Sequence, residues 1–188
     1  MSDLPSKGPD FSKPIEALKA CHARIRLECD RMCELVEHMK THGCDAEARQ
    51  AAAKLMRYFD TAARHHHEDE EEDLLPRMMT AATIGKGSRL TRLVAEVATE
   101  HREMDRLWTE LRAALQEISA GENFPLDPLL VDRFAKLYGS HIVTEEANVL
   151  PLAEMLLSRQ DLAEIGSSMR QRRGITAESA DCGITDKG

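Results

Sequence analysis

The residues able to do chemistry in this chain come in a repeated pattern. His66-x3-Glu70-Glu71-x3-Leu75-Pro76 is followed, 75 positions later (141 − 66), by His141-x3-Glu145-Glu146-x3-Leu150-Pro151. On an α-helix a histidine and a carboxylate four residues apart differ by only about 40° in direction, so both can reach one metal ion. Each copy also follows a further histidine, His22 before His66 and His101 before His141. That is the pattern of a duplicated helical hairpin delivering ligands to a shared centre. Neutral imidazole with carboxylate suits iron, manganese or zinc, and nothing in the set is soft enough to demand copper(I).

The elements that must carry these residues are helices. The first apolar stripe runs Ile15, Leu18, His22, Ile25, Cys29, Met32, Val36, Met39, in steps of three and four, and His42-Gly43 ends it. A second follows through Ala52, Leu55, Phe59, Ala62, His66. After Gly85-Lys86-Gly87-Ser88, with Ser88 a candidate N-cap, the third reads Leu90, Val94, Val97, His101, Met104, Trp108, Leu111, Leu115, Ile118. The fourth, beyond the turn-rich segment Gly121 to Pro128, reads Leu130, Phe134, Leu137, His141, Glu145, Asn148, Leu152, Met155. Each stripe thus carries one histidine where the pattern calls for a hydrophobic residue. A buried imidazole without a partner costs roughly 1–3 kcal/mol, so a shared metal site accounts for four of them better than four separate core histidines do.

These observations predict an all-α protein, an antiparallel up-down-up-down four-helix bundle over residues 14–158. Residues 1–13 are expected to be a mobile lead-in, and 159–188 a short extra helix (Leu162, Ile165, Met169) followed by a basic stretch and a disordered tail. In such a bundle the second and fourth helices run parallel, so Glu70 and Glu145 converge from opposite corners, placed to bridge two metal ions. The candidate ligands are His22, His66, Glu70, His101, His141 and Glu145, about four for each ion, which leaves coordination positions open to water, a bridging oxo or hydroxo group, or a diatomic gas.

The remaining histidines serve as an internal control. His38 lies off the apolar stripe, His42 at a helix end, and His65 and His67 point about 100° to either side of His66, so all four are expected to be solvated or to support the site from outside. The acidic run Glu68 to Asp73 reads as a solvated face in which only Glu70 points inward, with Asp69 and Asp73 able to act as acceptors behind the ligands. Trp108 and Tyr138 face the core near the site; the Tyr138 hydroxyl is the better placed to hydrogen-bond a ligand at the centre. Cys29 reads as a small core residue.

Composition narrows the function. The 188 residues are 42% apolar, enough for one sizeable core, and only 4% aromatic, which favours helices over sheets. A formal net charge of -8 argues against nucleic-acid or anionic-membrane partners. No apolar leader or membrane-length run is visible, and an odd count of 5 cysteines, three of them within the first helix, reads as reduced thiols in a cytoplasmic protein.

The chain resembles the hemerythrin family, in particular the bacterial HHE cation-binding domains, over about residues 14–158. The resemblance rests on Cys21-His22-Ala23-Arg24-Ile25, on Glu100-His101, and on the two His-x3-Glu-Glu-x3-Leu-Pro blocks. It implies a four-helix bundle holding two non-haem iron ions, His22 and His66 on one, His101 and His141 on the other, with Glu70 and Glu145 as bridges. Oxygen-carrying members have a second histidine where this chain has Asp105. Asp105 is therefore either an additional carboxylate ligand, an acceptor behind the ligands, or a polar residue at a cavity edge. The four-histidine, two-glutamate set looks like the HHE domains associated with nitric oxide response and iron–sulfur cluster repair. The expected function is binding or sensing of oxygen, nitric oxide or peroxide. The alternatives are a di-iron enzyme that reduces nitric oxide or peroxide or donates iron in cluster repair, and an interaction module whose ion is structural or absent.

Overall fold

The structure, a computed structural model, describes residues 9–82 and 87–175, the side chains at 87 and 88 excepted. The described residues are helical, joined by turns, with no strand among them. Helix α1 (Pro14–His42) begins with proline, whose fixed φ suits the first helical turn, and ends at Gly43. Gly43 adopts φ 69°, a left-handed conformation that glycine tolerates, and its N–H donates to the Met39 carbonyl. Asp45 caps the next rod by accepting from the Ala48 N–H at 2.9 Å. That rod, α2 (46–81), is continuous but changes pitch: Ala46–Tyr58 is α-helical, Phe59–Ala63 π-helical, Arg64–Glu68 α-helical, Asp69–Leu74 π-helical and Leu75–Ala81 α-helical. Helix α3 spans Gly87–Ala120. The rod α4 (128–156) starts at Asp127, which caps the Leu129 N–H, and joins Pro128–Thr144, a π-helical Glu145–Val149 and Leu150–Leu156. Helix α5 (Arg159–Arg172) opens on a capping box between Ser158 and Asp161.

The prolines of the duplicated block explain two of the pitch changes. A proline within a helix donates no hydrogen bond and crowds the carbonyl four residues back. Pro76 and Pro151 each stand in the first turn of the α-helical segment that follows a π-helical stretch, where a missing N–H is tolerated. The extra residue in each wide turn moves the buried stripe forward by one. The sequence stripe places Asn148, Leu152 and Met155 inward after Glu145; Val149 and Ala153 are buried instead, and Met155 is 76% exposed. The same shift buries Leu74 and Met78 after Glu70, and the earlier π-helical stretch buries Ala63 rather than Ala62.

Helix α1 packs on α2 and on α4, and α3 packs on α2 and on α4, closing a ring of four rods; α5 packs on α1 and on the second π-helical turn of α2. The interior is layered. One apolar cluster gathers Ile25, Met32, Phe59, Met104, Phe134 and Ile142; a second gathers Leu18, Leu74, Leu90, Val97, Val149 and Ile165. Along α1 the chain passes from Leu18 through His22 to Ile25, and along α3 from Val97 through His101 to Met104, so the inward histidines occupy a polar layer between two hydrocarbon layers. No helix among the described residues is long and apolar enough to cross a membrane.

The end of the expected lead-in is packed. Phe11 is buried against α5, beneath the Arg173 guanidinium, which lies 4.9 Å from its ring centroid. A ring that can leave water beside Ile165 and Met169 does so, whatever the local composition. Residues 1–8, the tail 176–188 and the Ser88 side chain lie outside the described residues. Gly166 makes this packing possible, because a Cβ built there would fall within contact distance of the Phe11 carbonyl oxygen. Gly166→Ala should therefore destabilise the protein by about 1–3 kcal/mol through forced separation of α5 from residues 9–13. Chemical denaturation checks this; an unchanged midpoint would show that the segment moves aside without cost.

Candidate metal centre

Six side chains project from the four rods into the polar layer: His22 from α1, His66 and Glu70 from α2, His101 from α3, and His141 and Glu145 from α4. All are buried, with relative exposure of 0% or 1%. They form two overlapping groups whose ligand atoms lie within 4.8 Å of one another, His22, His66, Glu70 and Glu145 in one, and Glu70, His101, His141 and Glu145 in the other. The carboxylates are shared, one oxygen to each side. Glu70 turns Oε1 toward His66 Nε2 (3.6 Å) and His22 Nε2 (4.0 Å), and Oε2 toward His101 Nε2 (3.4 Å). Glu145 turns Oε2 toward His22 Nε2 (3.1 Å) and Oε1 toward His141 Nε2 (3.3 Å). His101 Nε2 and His141 Nε2 are 3.1 Å apart. Atoms that each lie about 2 Å from a common ion stand from about 2.8 Å apart at a right angle to about 4 Å apart on opposite sides, so these separations fit coordination.

The donor atoms also lack other partners. His22 Nε2, both ring nitrogens of His66 and all four oxygens of Glu70 and Glu145 are buried without a hydrogen bond among the described residues. Each such group costs about 1–3 kcal/mol, more where charged, which a coordinated cation removes. The set therefore fits one or two divalent ions of the iron, manganese or zinc type.

Behind the ligands stand carboxylates that fix the rings. Glu71 Oε1 lies 2.7 Å from His101 Nδ1, Glu100 Oε2 lies 2.7 Å from His141 Nδ1, and Glu146 Oε1 lies 3.1 Å from His22 Nδ1. An Nδ1–H donated to a carboxylate leaves the Nε2 lone pair to face the centre. Sequence reasoning missed these three, although Glu71 and Glu146 are the second glutamate of the duplicated block. Each reaches a histidine on a neighbouring rod, which spacing along one helix does not report. His66 Nδ1 has no such partner. The duplication shows why: Glu100, which precedes His101, corresponds to Cys21, which precedes His22.

Other expectations need correction. Asp69 and Asp73 do not accept from the ligand histidines; they are paired with Arg172, and Asp69 also with Arg173. Of the two roles expected for His67, solvated or supporting the site, it takes the second: it is buried, its ring stacks on His101 with centroids 3.9 Å apart, and its Nε2 lies 3.3 Å from the Tyr138 hydroxyl. Tyr138 therefore spends its hydroxyl on His67. Asp105 is exposed, stands outside both groups and, with Trp108, lines a surface groove whose inner wall is His67 and Tyr138. Trp108 itself is half-buried and donates to Asp60 at 3.0 Å. His38 sits at the far end of α1, 2.9 Å from Asp45.

Proton affinities follow the same geometry. Burial disfavours the charged form of His101, but Glu70 and Glu71 outweigh it and raise its pKa to about 10. His22 and His141 are raised likewise, against burial, mainly by Glu145. Burial, followed by repulsion from His22, lowers His66 well below the ordinary range. Burial and then the Glu145 charge raise Glu70 to about 7. Glu145 is instead held well below the usual carboxylate range, since His141 and His22 overcome its burial.

A helical bundle whose polar layer presents two shared carboxylates and four imidazoles defines a cation-binding class of protein. Residues 13–153 match the hemerythrin HHE cation binding domain, and the chain belongs to that family. It is similar as well to an uncharacterized protein of Haemophilus influenzae, at 30% identity over 174 residues, which cover 91% of this chain and 96% of the relative.

Because the pKa values of His101 and Glu70 are raised, the metal-free site holds protons near neutrality that a cation must displace. Metal uptake should therefore release protons, and affinity should rise with pH, most steeply below about pH 7 where Glu70 also carries one, by about tenfold per pH unit for each proton displaced. Zinc or iron(II) titrations in weakly buffered solution across that range measure both quantities. A pH-independent affinity with no proton release would contradict the assignment.

Proposed function

We propose that the chain is a cytoplasmic non-haem di-iron protein that binds or senses a small diatomic ligand, oxygen or nitric oxide, or peroxide. His22 and His66 hold one ion, His101 and His141 the other, and Glu70 and Glu145 bridge them. The observation that carries this reading is the division of each buried carboxylate, one oxygen facing each histidine pair, with no hydrogen bond to either. The four rods run up-down-up-down in this reading, an order supported by the packing of each rod on its chain neighbours and of α1 on α4.

Iron bound there supplies redox-active positions open to a small molecule. The protein's own residues do the rest. Glu71, Glu100 and Glu146 hold three imidazoles in the tautomer that presents Nε2 inward. His67 fixes the plane of the His101 ring by stacking on it, and Tyr138 holds His67. The hydrocarbon layers above and below keep bulk water from the centre. A cytoplasmic setting is supported by thiols rather than disulfides at Cys21, Cys29, Cys33 and Cys44.

Purified protein is expected to carry two iron ions per chain. Oxygen, then nitric oxide, added to the anaerobic diferrous form should change the visible spectrum; silence toward both would overturn the proposal. Glu145→Gln keeps the side-chain volume but removes a bridging charge, and should cut uptake to one ion or fewer with the helical content retained. Sustained consumption of nitric oxide or peroxide with a reductant, rather than one binding event per centre, would show that the site turns over.

A further inference from the structure

The two copies of the duplicated block agree at the ligands and differ around them. Where the first copy has Asp69, Glu72 and Asp73, the second has Thr144, Ala147 and Asn148. Asn148 satisfies itself within its own rod, donating to the Thr144 carbonyl at 3.1 Å. The three acidic residues do something else: each pairs with an arginine at the end of α5, beyond the residues 13–153 that match the family.

Asp69 is the centre of this cluster. It is fully buried, adjoins Glu70 in the chain, and opens the π-helical turn that carries Glu70. Arg173 grips it with both terminal guanidinium nitrogens, Nη2 at 2.6 Å from Oδ2 and Nη1 at 3.1 Å from Oδ1. Arg172 Nη1 is a further partner of Asp69, and its Nη2 reaches Asp73 Oδ2 at 2.8 Å and Glu72 Oε2 at 2.9 Å. The arginines are themselves held. Arg173 donates to the Met169 carbonyl at 3.0 Å and covers the buried Phe11 ring. Neither arginine is more than 15% exposed at its side chain, so the pairs to the buried Asp69 and Asp73 are poorly screened and directional, whereas Glu72 is exposed.

We infer that Arg172 and Arg173 are positioning residues for the metal centre: by clamping Asp69 and Asp73 they fix the π-helical turn that aims Glu70 at both histidine pairs. The inference rests on the metal-site reading above and deepens it by assigning α5 to the site. A π-helical turn is a wide and locally uncommon backbone arrangement, and an external restraint at Asp69 and Asp73 limits where its side chains point. The Glu145 turn, uncharged at the matching positions, is restrained differently: Arg26 of α1 forks onto Glu146, at 3.1 Å to each oxygen, and Asn148 bonds back within its own rod.

The test compares full-length wild type with Arg172→Lys, with Arg172→Gln/Arg173→Gln, and with the triple variant Asp69→Asn/Arg172→Gln/Arg173→Gln, in which the fully buried Asp69 no longer carries a charge to strand. Anaerobic iron(II) and, separately, cobalt(II), whose visible spectrum reports coordination, are titrated into metal-free protein, with circular dichroism as the check on folding. The double and triple variants should keep their helicity, bind metal about 10–100-fold more weakly and give an altered cobalt spectrum. Arg172→Lys, which retains charge without the fork, should fall between them and wild type. As the matched control, Thr144→Ala should leave affinity within about twofold. Wild-type affinity and spectrum in the helical triple variant would overturn the clamp, and so would an Arg172→Lys protein that is helical and indistinguishable from wild type should the others not fold. A wild-type protein that takes up neither metal would instead overturn the metal-site reading itself.

Discussion

Two glutamates and four histidines held away from water, between two layers of hydrocarbon, are the constraint on which the rest of this structure depends. Removing a carboxylate from water is costly at any site, and two of them within reach of each other cost more, so the interior has to supply positive charge. Without a cation the protein supplies it with protons: Glu145 stays anionic beside His22 and His141, while Glu70 is pushed toward its neutral form. Protons and divalent ions are thus alternative answers to one electrostatic demand. The four rods exist, in this sense, to bring six polar side chains to a single level, with hydrocarbon layers above and below them.

The internal duplication meets that demand twice, though unequally. Both copies deliver a histidine, a shared glutamate and a second glutamate that reaches across to a neighbouring rod, and both end in a proline that follows a wide helical turn. The halves then diverge. Three of the histidines have a carboxylate at Nδ1, whereas His66 has none, since Cys21 stands where the other half has Glu100. A ring without that acceptor is a weaker donor and less restricted in orientation than its counterparts. The two groups of candidate ligands are therefore chemically inequivalent within a symmetric-looking set.

What the sequence discloses follows from periodicity. A histidine that interrupts an apolar stripe must be buried, and four interruptions at matching points along four rods have to meet; His22, His66, His101 and His141 were readable on that ground. The stripes failed where the helix pitch changes. A constant step of 3.6 residues places Leu152 and Met155 inward, but the π-helical turn after Glu145 hands the core to Val149 and Ala153. Burial contributed by other rods is also invisible to a stripe. His67 sits beside the inward direction of its own helix, yet α3 and α4 cover it through His101 and Tyr138. The pairing of Glu146 with His22, across more than half the chain, leaves no trace in local spacing.

The arginine cluster at the end of α5 shows how a contact remote in sequence can matter more to a site than to the fold. Burying an ion pair repays its desolvation only in part, so Asp69 with Arg172 and Arg173 adds little net stability that a well-packed apolar trio would not. What ion pairs of fixed geometry do supply is selection among nearly equivalent arrangements of the backbone that bears them. The turn holding Glu70 has such alternatives, because a stretch that has already left α-helical pitch can shift its extra residue along the rod. Shifting it by one position would turn Glu70 by about 100° and withdraw an oxygen from both histidine pairs. Restraint at Asp69, the residue next to Glu70 and fully out of solvent, acts where that ambiguity is greatest.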